Sequence, residues 1–74
     1  MAEVETKVTL KDWLEGLGNG NTSSESDSVA MTTLLRRIGF PKAVVVMGIV
    51  YPGGKGQSID IHGMARMILR KFGG

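Results

Sequence analysis

Ser58, Asp60 and His62 are the three residue types of a nucleophilic relay, set at alternate positions. On a strand, alternate side chains share a face but stand about 6.5–7 Å apart, from a rise of about 3.3 Å per residue. Proton relay needs about 2.6–3.2 Å between successive groups. Without a fold-back the set reads as the polar face of an exposed strand. A phosphate-cradling loop requires Gly, four residues, Gly-Lys and then Ser or Thr. Gly48 and Gly53 have that separation, but Gly54 occupies the lysine position and Gly56 follows Lys55, so the motif fails. The chain has no cysteine and one histidine, which excludes thiolate and histidine-rich metal sites. The expectation is a protein with no catalytic centre, metal or cofactor, which acts by binding.

The charge distribution points to a class of partner. Residues 1–28 carry a net −4, and residues 29–74 carry +6 from Arg36, Arg37, Lys42, Lys55, Arg66, Arg70 and Lys71 against Asp60. A basic half suits a polyanion such as nucleic acid. The alternative is a solvated surface that is merely basic. Thr32, Thr33, Arg36 and Arg37 fall together on the outer side of one predicted helix, and Lys42 lies just beyond its end. Lys55 sits among glycines that let backbone approach a ligand closely. These six residues, with Arg66 and Arg70 from the last helix, are the candidate DNA contacts. Gly53-Gly54-Lys55-Gly56 also satisfies the Gly-x-x-Gly loop with which KH domains clamp a nucleotide backbone. That loop joins helices, whereas this one is expected between strands.

Four elements have to position these residues. Thr9 is an N-cap, Asp12 stands where an acid completes a capping box, and Leu10, Trp13, Leu14 and Leu17 form one helical stripe that ends near Gly18. Residues 18–28 are polar and glycine-rich and read as a mobile loop. Its serines beside acids resemble acidic-kinase sites, though a plain loop is the simpler reading. Asp27 or Ser28 then caps a second helix, with Met31, Leu34, Leu35 and Ile38 inward and Gly39 and Pro41 closing it.

Residues 43–51 include five β-branched residues and are followed by Pro52-Gly53-Gly54, which favours one strand. A buried helix starting at Pro41 is the alternative. Residues 57–62 alternate with the strand period, giving a hairpin with Lys55 at its tip. Residues 63–72 return to helical period, with Ala65, Ile68, Leu69 and Phe72 on one side and Arg66 and Arg70 on the other. The expected core is Leu10, Trp13, Leu14, Leu17, Leu34, Leu35, Ile38, Val44, Val46, Ile59, Ile61, Ile68 and Phe72.

The order of elements carries a family resemblance. Residues 37–44, Arg-Ile-Gly-Phe-Pro-Lys-Ala-Val, resemble the end of the recognition helix in phage excisionases and AlpA-like regulators, where Phe-Pro leads into the wing. Thr9-Leu10-Lys11-Asp12-Trp13 resembles their helix opening. Gly53-Gly54-Lys55-Gly56-Gln57, with an alternating strand and then an Ala-containing helix, resembles the wing and next helix of the lambda-type terminase small subunit. The resemblance implies a MerR-like winged helix that binds duplex DNA in phage-type recombination, packaging or transcription control. The long acidic loop and the long apolar run depart from that pattern.

The expected fold is therefore α+β, one small domain ordered helix, helix, hairpin, helix, with an all-α bundle as the alternative. The first residues are acidic and polar, unlike a signal peptide, and the longest apolar run has 9 residues against the roughly 20 of a membrane span. A cytoplasmic protein, in the host cell if it comes from a phage, is expected. The competing class is a small self-assembling or protein-interaction subunit. A long apolar strand edge would invite pairing with another copy or a partner, and the methionines would make adaptable contacts.

Overall fold

The computed structural model describes residues 9–73. Helix α1, Leu10–Gly18, starts where the Thr9 hydroxyl accepts the Asp12 N–H at 3.1 Å. Leu14 and Leu17 are buried and Trp13 is half-buried, as the stripe requires. Helix α2 spans Glu25–Ile38, so its first turn begins inside the segment expected to be loop. Ser24 is the N-cap. Its hydroxyl accepts the Asp27 N–H at 3.2 Å while Asp27 Oδ2 accepts the Ser24 N–H at 2.8 Å. This reciprocal box satisfies two otherwise orphaned donors, and it corrects the expected cap at Asp27 or Ser28. The connection between α1 and α2 is only residues 19–24. Gly39 ends α2 at φ 128°, which glycine adopts without Cβ penalty, and its N–H returns to Leu35 O.

The apolar run is two strands. β1, Val44–Val46, and β2, Ile49–Tyr51, pair antiparallel in the register Val44↔Tyr51 and Val46↔Ile49. The two residues between them, Met47 at φ 51° and Gly48 at φ 80°, make the tight hairpin turn. Positive φ at both positions matches the right-handed strand twist. β3 is reduced to Ile59–Asp60 and pairs antiparallel with β2, giving a three-stranded sheet in the order β1-β2-β3. The long strand edge expected from residues 43–51 is therefore folded onto itself, and the all-α alternative is excluded.

Ile61 and His62, expected to end a strand, open helix α3, Ile61–Ile68, whose N-cap Asp60 accepts the Gly63 N–H at 2.6 Å. A wider π turn continues it over Leu69–Gly73. The fold is α+β, with α1 packed along α3 and α2 packed on β1. Ten residues form the core: Leu14, Leu17, Met31, Leu35, Ala43, Val50, Ile61, Met64, Ala65 and Ile68. Met31 and Ala65 lie on the apolar stripes expected of their helices, whereas Ala43, Val50 and Met64 were not expected there. Leu10, Val46 and Phe72 were expected there, but are 55%, 50% and 60% exposed. Leu10 opens α1, Val46 lies at the hairpin tip and Phe72 lies on the terminal turn, so each is at an element end where few of the described residues reach it. No helix among the described residues is long and apolar enough to cross a membrane.

Candidate nucleic-acid interface

The outward face of α2 is set by its period. With Met31 and Leu35 pointing inward, 100° per residue turns Ser26, Val29, Ala30, Thr33 and Arg37 outward, and all five are exposed. The two threonines are partly committed to the helix itself. The Thr32 hydroxyl donates to Ser28 O at 2.8 Å and the Thr33 hydroxyl donates to Val29 O at 3.0 Å. Thr32 is half-buried, so only Thr33 remains on the accessible face.

The basic residues at the far end of α2 converge through two backbone contacts. Arg36 Nε donates to Ala43 O at 3.1 Å, which ties the last turn of α2 to the start of β1 and uses one of five guanidinium N–H groups. Gly54, at φ 87°, lies against the turn after α2: a Cβ placed there would stand 2.9 Å from Lys42 O. The loop between β2 and β3, residues 52–58, is thereby laid beside Lys42. Lys55 follows on its exposed side. Arg36, Lys42 and Lys55 thus gather at the C-terminal end of α2. Arg37 is exposed on the other flank, next to Leu34 and Ile38.

Arg66 and Arg70 are not part of this gathering. Arg66 Nη1 donates to Gly18 O at 2.8 Å, and His62 Nδ1 donates to Leu17 O at 2.8 Å. Both close carbonyls of the last turn of α1, where the helix dipole favours the Arg66 cation. Arg70 is exposed on the terminal turn beside Lys71. Ser58, Asp60 and His62 do not form a relay either. Ser58 lies in an exposed loop, Asp60 caps α3 and His62 holds Leu17 O. Among the described residues, no group of three His, Cys, Asp or Glu is placed to hold a metal.

The opposite end of α2 is acidic. Glu25 and Asp27 occupy its first turn, and Asp27 Oδ1 accepts the Trp13 indole N–H at 2.8 Å. That bond, with those from Ser24, holds the Asp27 carboxyl below its ordinary value of 3.8 by stabilising the charged form. Ser26 falls in the segment that composition marks as loop, whereas Val29 and Ala30 lie within the expected helix but carry neither charge nor a polar group to single them out. The Ser24-x-x-Asp27 spacing carried the signal for an earlier helix start.

No protein-family model matches the chain, and neither a curated protein nor a solved structure does.

Proposed function

We propose that the chain is a non-enzymatic, winged-helix-like domain that binds duplex DNA, with α2 in the major groove and the 52–58 loop as the wing. The observation that carries the reading is the seating of Gly54 on Lys42, which sets the loop lysine beside the basic end of α2. Cations at that end would meet phosphates and fix register, since phosphate contacts position a protein on the duplex while base edges specify sequence. The outward residues are small or polar. Val29 and Ala30 suit thymine methyl groups, Ser26 and Thr33 suit either base type, and Arg37 suits guanine.

Arg36, Lys42 and Lys55 are the phosphate contacts in this reading. Thr32 drops out, and Arg66 serves the fold. Arg70 remains a peripheral contributor. The family resemblance supports a role in phage-type recombination, packaging or transcription control, in the host cytoplasm and without a cofactor. A mobility-shift titration on mixed-sequence duplex at two ionic strengths tests the reading. Binding that weakens steeply with salt is expected. Absence of binding at low salt overturns it.

A further inference from the structure

Two apolar features are unpartnered among the described residues, and they are complementary. The first is a knob. Met47, at the tip of the β1–β2 turn, is 94% exposed, and Val46 beside it is 50% exposed. Its φ of 51° belongs to a turn position that favours Asn, Asp or Gly. Neither backbone preference nor burial accounts for a methionine there. The second is a groove of about 570 Å³ between α1, α2 and the terminal turn, lined by Leu10, Leu14, Leu34, Ile38, Ile68 and Phe72, with Lys11 on its rim.

One molecule cannot join them to each other. The turn stands beside Ser24, Glu25 and Ser28 at the start of α2, whereas Leu34 and Ile38 bound the groove from the opposite flank of the same helix.

We infer that the Met47 tip of one copy seats in the groove of a second copy, making a head-to-tail contact. The flanking charges are opposite in sign. Glu25 lies beside the knob, while Lys11 lies on the rim of the groove. The groove is roomy enough for the Met47 and Val46 side chains together, and an unbranched thioether adapts to an irregular apolar trough. Knob and groove are different surfaces, so the contact is heterologous and builds chains or rings rather than a two-fold dimer. The inference does not depend on DNA binding.

Sedimentation of the full chain across about 10 µM to 1 mM, the range a small contact needs, tests it with two variants. Met47→Asn removes the knob with a residue the turn prefers. Leu10→Glu sets an acid in the groove against Glu25, and an acid is tolerated in a helix first turn. Circular dichroism checks that both fold, and Phe72→Ser replaces Leu10→Glu if needed. The wild type should rise above its 7.9 kDa monomer mass with concentration, while each variant stays at that mass. An equimolar mixture of the two variants should form a dimer and grow no further, because it offers one intact knob and one intact groove.

A wild type that stays monomeric overturns the proposal, as do variants that associate like wild type or a mixture that stays monomeric. If deleting residues 1–8 starts association, the groove belongs to the chain's own N-terminal segment. If Met47→Asn loses DNA binding at unchanged mass, the knob belongs to nucleic acid. Either result also overturns it.

Discussion

The Trp13 indole N–H donates to Asp27 Oδ1 at 2.8 Å, while Asp27 Oδ2 holds the N-cap of α2. One carboxylate thus fixes where α2 starts and how it leans on α1. If α2 is the DNA-reading helix, this bond sets its angle. Replacing Asp27 with Asn keeps one acceptor but removes the charge, and should cost about 1 kcal/mol at neutral pH. The carboxyl is held below 3.8 in the folded protein, so its stabilisation is present above the unfolded value and lost as pH falls through the folded one. The gap between wild type and Asp27→Asn, followed by fluorescence of the sole tryptophan during thermal unfolding, should close on acidification below that range. A gap independent of pH would show that the charge is not what stabilises the cap.

Gly54 and Gly53 form a matched pair. A Cβ at Gly54 would meet Lys42 O at 2.9 Å with φ at 87°, whereas at Gly53 the nearest atom, Lys55 O, is 3.8 Å away. Gly54→Ala should lose about 1–3 kcal/mol and displace the wing, flattening the salt dependence of DNA binding. Gly53→Ala should do neither. Equal melting temperatures for the two variants would remove the contact from the account.

At dilute concentration Met47→Asn should stabilise the fold by about 0.5–1 kcal/mol, because Asn tolerates the φ of 51° better than Met. That gain raises the melting temperature by roughly 2–8 °C for a domain of this size. A destabilised variant would mean that Met47 packs within its own molecule.

Arg66 separates folding from binding. Arg66→Ala should lower the melting temperature by roughly 2–5 °C, through loss of the Gly18 carbonyl contact at the end of α1. It should leave the salt slope of DNA binding unaltered. A flatter slope with an unchanged melting temperature would return Arg66 to the interface.

Local signals were legible in the sequence and distant ones were not. Thr9 as N-cap, the stripe through Leu14 and Leu17, and Gly39 all act over a few residues, and each does in the structure what its pattern implies, although Asp12 does not return the bond that would complete a box with Thr9. The box at Ser24 and Asp27 has the same spacing, but the polar first turn it opens, Glu25 to Ser28, lacks an inward apolar residue and was indistinguishable from loop. Only the bond to Trp13, fourteen residues away, shows why it orders. The Val-Ile run hid its turn because Met is not a turn residue, and the following Pro-Gly-Gly competed as the hairpin tip. The split, with β3 adjoining β2, determines which residues face inward, so Val50 rather than Val46 reached the core. The candidate site was half legible. Arg37, Lys42 and Lys55 are exposed as read, but the uses of His62 and Arg66 depend on α1 meeting α3, which no spacing encodes.

In the proposed mode of binding, the Lys42 turn and the Lys55 loop form one phosphate-binding unit. Fluorescence anisotropy of wild type and the Lys42→Ala, Lys55→Ala double variant on the same labelled duplex, titrated across several salt concentrations, measures it directly. Two lost phosphate contacts should flatten the log–log salt slope by about 1.8 while the melting temperature stays within a few degrees. A slope equal to wild type, with both proteins folded and binding, would contradict the account.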